Sequence, residues 1–107
     1  MNRKITTIML LSKKQEKFLR ALGHNKKPVI WLGQHGLTDN VVTEIESALE
    51  HHELIKIKLR VGDRDTRDAT IEDICSLTGA DQVQKIGNIV TLYRKNTKKP
   101  GIRLPRD

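Results

Sequence analysis

The sequence predicts a single compact α/β domain with the element order α-β-α-β-α-β-β. Three observations carry that prediction: amphipathic stretches that open on helix-capping residues, short runs rich in Ile, Val and Leu between them, and glycines at the junctions. A chain of 107 residues has room for one modest core. With 36% apolar and only 3% aromatic residues, that core is built from Ile, Val and Leu, and a base-stacking surface is not expected.

Residues 1–9 show no period and include Arg3 and Lys4, so a flexible basic extension is expected there, with Met9 as a second candidate start. Ser12 and Gln15 have the spacing of a capping box. Leu11, Gln15, Phe18, Leu19 and Leu22 then form one stripe of a first helix, which Gly23 ends. Lys13, Lys17 and Arg20 share another face, readable as solvated surface or as a nucleic-acid contact.

A turn over 25–28 places Lys26 and Lys27 at the mouth of the next strand. Val29, Ile30, Trp31 and Leu32 lack polar alternation, the pattern of a central strand covered on both faces, so Trp31 is expected in the core. Gly33-Gln34-His35-Gly36 makes a GxxG loop. Thr38 is an N-cap, and Leu37 and Val42 are spaced as a hydrophobic staple for a helix running to about residue 52. Val41, Val42, Ile45, Ala48 and Leu49 face inward on it; Asp39, Glu44, Glu46 and Glu50 face away.

Residues 54–61 alternate, with Ile55, Ile57, Leu59 and Val61 on one side and Lys56, Lys58 and Arg60 on the other. A third helix is expected over about 65–78, with Ile71, Ile74, Cys75 and Leu77 inward and Gly79 as its stop. Gly87-Asn88 separates strands at 82–86 and 89–94 as a tight hairpin. Strand-helix-strand units give parallel strands and the hairpin an antiparallel pair, hence a four-stranded mixed sheet. The domain proper is expected over 10–95, followed by a mobile basic tail over 96–107.

Twenty basic against thirteen acidic residues give a net charge of +7. The charge is segregated: +7 over residues 1–36, −5 over 37–54, +3 over 55–62, −4 over 63–81 and +6 over 82–107. A basic face opposite an acidic one follows, and it favours a polyanionic partner. The longest apolar runs are too short for a signal core or a membrane span, and the one cysteine, Cys75, has no partner for an internal disulfide. A soluble, cytoplasmic protein without membrane attachment is expected.

The GxxG loop is the main candidate for chemistry. Strand, two glycines and helix start in succession leave backbone N–H groups at the positive end of a helix dipole, which suits phosphate. KH domains clamp single-stranded nucleic acid on such a loop; a plain strand-to-helix turn is the other reading. No Gly-Lys-Ser/Thr follows for nucleotide hydrolysis, and no third glycine completes a dinucleotide fingerprint. His24, His35, His51 and His52 lack metal-ligand spacing, and no nucleophile-base constellation is signalled. No metal, cofactor or enzymatic activity is expected.

The block from Lys26 to Val29, the residues from Gly33 to Thr38, the long run from Glu44 to Lys56, Thr78-Gly79-Ala80, Ile86-Gly87-Asn88 and Leu92-Tyr93-Arg94 together resemble a bacterial stand-alone CRM domain of the YhbY type. The resemblance covers about residues 10–95. It implies a fold similar to the C-terminal domain of translation initiation factor three, RNA binding through the GxxG loop, association with large-subunit precursors and no catalysis. The family often places a basic residue at the loop tip; this chain has Gln34 and His35 there.

The resulting expectation is a monomeric RNA-binding protein of ribosome biogenesis, its partner large-subunit ribosomal RNA or a pre-ribosomal particle. Gly33, Gln34, His35, Gly36 and Thr38 form the phosphate site, and Lys13, Lys17, Arg20, Lys26 and Lys27 supply the surrounding charge. The alternative is a protein-interaction module that docks a basic ribosomal protein on the acidic face of the second helix, around Glu46 and Glu50.

Overall fold

A computed structural model describes residues 11–106. The N-terminal extension expected over 1–9, with Met9, lies outside the described residues. The elements are α1 (Lys13–Gly23), β1 (Ile30–Leu32), α2 (Asp39–His52), β2 (Leu54–Leu59), α3 (Arg64–Thr78), β3 (Asp81–Ile86) and β4 (Ile89–Tyr93). This is the predicted order.

The four strands form one mixed sheet in the order β1-β2-β4-β3. β1 and β2 are parallel, joined by α2, and β4 is antiparallel to both β2 and β3. The tight turn with Gly87 at φ 59° folds β4 back between β2 and β3, so those two strands share a direction without pairing.

Alternation along β2 divides the core between the two faces of the sheet. On one face Ile55, Ile57 and Leu59 pack with Ile30 and Leu32 of β1, Ile45 and Leu49 of α2, and Ile71 and Ile74 of α3. On the other, Leu54 packs with Leu19 of α1, Val83 and Tyr93. A fully buried Leu or Ile contributes about 1.5–3 kcal/mol, so the larger cluster dominates stability.

The capping signals hold. Ser12 Oγ accepts the Gln15 N–H while Gln15 Oε1 accepts the Ser12 N–H, both at 3.1 Å. Asp63 caps α3 through the Thr66 N–H at 2.9 Å, two residues before the expected helix start. Gly79 closes α3 in the left-handed region at φ 75°. Gly23 is the last residue of α1, as expected, and a Cβ there would make ordinary contact, 3.5 Å, with both Leu54 and Thr91, which places the end of α1 over these two residues of the sheet.

Four expectations are corrected. β1 is an edge strand, and α1 packs over β2, β3 and β4 rather than over it, so only its α2 face is covered; its residues alternate buried, exposed, buried, leaving Trp31 59% exposed. Phe18 and Leu22 are exposed, at 37% and 42%, and the buried residues of α1 are Leu19 and Gly23. Leu77 is exposed, and Thr78 is buried in its place through a hydroxyl bond to the Ile74 carbonyl at 2.7 Å. The segment after β4 is held down rather than mobile: Ile102 and Leu104 pack on the α1 cluster, and Gln15 Nε2 donates to the Pro105 carbonyl at 3.0 Å.

Candidate nucleic-acid interface

The GxxG loop is shaped from both of its ends. The Arg60 N–H donates to the Leu32 carbonyl at 2.7 Å, which fixes the end of β1 against the residue that follows β2. The Gly36 N–H donates to the Gly33 carbonyl at 3.0 Å and closes the turn, with Gly36 at φ 70°. Thr38 Oγ1 then accepts the Val41 N–H at 3.2 Å and starts α2.

Among the loop amides of Gln34, His35 and Gly36, that of Gly36 is therefore committed to the turn. Gln34 and His35 have no backbone partner among the described residues, and both are exposed. The two glycines serve different ends. Gly36 is required by its positive φ, whereas Gly33 has nothing within 4 Å of where a Cβ would stand. Neither crowding within the protein nor a positive φ requires glycine at position 33. Asp39 in the first turn of α2 offsets part of the attraction of the helix terminus for anions.

The predicted cations do not gather at this loop. Lys26 and Lys27 are exposed ahead of β1, whereas the loop follows its other end. Lys13 and Lys17 are exposed on α1 and Arg20 is half-buried. The cations beside the loop are Arg60, through its bond to Leu32, and Lys58, which stands opposite Trp31 in the β1–β2 pair. The alternation of 54–61 marks both as outward-facing, but only the parallel pairing of β1 with β2 brings them to Gly33.

The acidic face of α2 has an internal partner. Arg94 reaches Glu46 Oε1 at 2.6 Å, Glu50 Oε2 at 3.2 Å and the Thr78 carbonyl at 2.9 Å. No group of three or more metal-ligating side chains occurs among the described residues. No helix among them is long and apolar enough to cross a membrane.

Residues 11–94 match the model of the CRS1 / YhbY (CRM) domain. The chain belongs to this family. An RNA-binding protein of Haemophilus influenzae is 50% identical over 96 residues, covering 90% of this chain and 96% of that protein. The probable RNA-binding protein YqeI of Bacillus subtilis is 32% identical, over 90% of this chain and all of its own length. The solution structure of a Staphylococcus aureus protein, 32% identical, matches with a TM-score of 0.76 over 90% of this CRM chain and all of that one. The CRM relatives are thus named for RNA binding and not for a reaction.

Proposed function

We propose that this CRM domain binds RNA without catalysis and assists assembly of the large ribosomal subunit, holding the RNA backbone at the Gly33–Gly36 loop. The open Gly33 carries the reading: empty space where a Cβ would stand, next to the Gln34 and His35 amides, which have no backbone partner among the described residues, and Arg60, suits a sugar-phosphate chain passing close by. Relatives named as RNA-binding proteins support RNA as the partner. The resemblance to stand-alone bacterial CRM domains supports the ribosomal target. In this reading Lys13, Lys17, Arg20, Lys26 and Lys27 attract RNA from a distance and do not grip it at the loop. With Glu46 and Glu50 already paired to Arg94, docking of a basic protein on α2 is the weaker reading.

Sedimentation of tagged protein through a low-salt ribosome gradient tests the assignment, beside a Gly33→Asp variant. Co-migration with large-subunit precursors that the variant loses is the expected outcome. Protein that stays at the top in both forms overturns the ribosomal assignment; co-migration of both overturns the role of the loop.

A further inference from the structure

One row of side chains crosses the whole sheet beyond the end of α1. Trp31 pairs with Lys58, Lys58 with Ile89, and Ile89 with Ile86, so one residue from each strand points to the same face. α1 covers this face only in part. Gly23 sits over Leu54 and Thr91, and the following His24 carbonyl accepts Lys56 Nζ at 3.4 Å. The next row lies past that point, and its ends are the most open large apolar side chains of the sheet: Trp31 at 59% and Ile86 at 67% exposure.

The row is continuous with the GxxG loop. Gly33 follows Trp31 by two residues, as Arg60 follows Lys58, so loop, indole and cations lie along one path. Neither this row nor the one beside it, with Lys56, Thr91 and Gln84, contains a carboxylate. Two rows that combine an open indole and other apolar side chains with fixed positive charge, and carry no negative charge, match unpaired nucleobases on a phosphate backbone. Trp31 is the only tryptophan, and Tyr93, the only tyrosine, is buried.

We propose that Trp31 is a base-stacking platform: a nucleobase of single-stranded RNA, whose backbone passes the Gly33–Gly36 loop, stacks on the indole while Lys58 and Arg60 take the adjoining phosphates. The proposal rests on the RNA-binding reading and adds to it a preference for unpaired RNA. Stacking of an aromatic on a base is sequence-tolerant, and its removal weakens binding about 5- to 150-fold.

The lone tryptophan makes its own fluorescence the reporter. Full-length protein is titrated with a single-stranded oligouridylate or oligoadenylate and with a duplex of equal length, and binding is followed in parallel by filter retention. Quenching of Trp31 by the single strands, with weaker retention of the duplex, is the expected result. Trp31→Ala should lose affinity within the stated range, and Trp31→Phe should keep most of it. Retention of RNA with unchanged emission and an unaffected Trp31→Ala variant overturns the stacking while leaving RNA binding intact. An indole already shielded from acrylamide in the free protein also overturns it, since the row is then occupied before any RNA is added. Failure to retain any RNA overturns the RNA reading and the stacking together.

Discussion

The carboxylate of Glu53 accepts the Ile102 N–H at 2.7 Å, tying the end of α2 to the chain that follows β4. The same carboxylate accepts the N–H groups of Gly101 at 2.9 Å and Asn96 at 2.7 Å. Glu53 is 3% exposed and sits at φ 61° as the C-cap of α2, so one residue both ends the helix and anchors the tail. Glu53→Gln sets an amide N–H₂ against backbone donors. It should cost about 2 kcal/mol, in the range for a hydrogen bond to a charged group, as read by urea unfolding. Trypsin should then cut after Lys98 more readily than in the natural chain, where Glu53 holds the Asn96 and Gly101 N–H groups on either side.

Glu53 also sets a pH dependence. Burial alone would raise its carboxyl, but the N–H groups of Asn96, Ile102 and Gly101, with the Lys95 charge, hold it below the ordinary carboxylate range. A carboxyl depressed in the folded state adds stability that is complete above the unfolded value and lost as pH falls through the folded one. Asp63 and Asp68, lowered chiefly by Thr66 and Lys85 respectively, act in the same sense. Asp81, raised by burial and by Glu16, acts oppositely. Unfolding measured from about pH 7 down to about pH 3 should show the natural protein losing stability more steeply than Glu53→Gln. Parallel curves would remove Glu53 from the acid response.

The two loop glycines should separate in their effect on stability. Gly36→Ala places a Cβ in the left-handed region and should cost about 1–2 kcal/mol. Gly33→Ala meets open space and should leave the thermal midpoint nearly unchanged. Calorimetry of the two variants checks this, and equal losses would contradict the different roles given to them.

Charge at the loop should show in salt dependence. If about four phosphates are held on single-stranded RNA, raising salt from about 50 to about 200 mM should weaken binding about fiftyfold. Arg60→Ala should make the slope shallower by about one phosphate's share. A slope that Arg60→Ala leaves unchanged would remove that residue from the phosphate path.

Local signals made much of the fold legible. The Ser12–Gln15 capping box, Thr38, Gly79 and the hairpin at Gly87 each act within a few residues, and each element they bound was found where expected. What failed depends on neighbours distant in sequence. A four-residue apolar run reads as central, yet β1 takes an edge, so Trp31 faces outward. Segment 96–106 reads as mobile because its composition is basic and its anchor, Glu53, lies more than forty residues earlier. At the candidate site the loop glycines were legible, whereas the nearness of Lys58 and Arg60 follows only from the register of β1 against β2.

The most direct measurement is the equilibrium affinity of purified protein for a single-stranded large-subunit ribosomal RNA fragment, compared with that of Gly33→Asp. Open space around Gly33 lets the variant fold, which circular dichroism and the thermal midpoint verify. Its carboxylate stands where the RNA backbone is proposed to pass. Retained fold with a loss of affinity of tenfold or more, about 1.4 kcal/mol, is the predicted result. A folded Gly33→Asp that binds as tightly as the natural chain would contradict the placement of RNA at this loop.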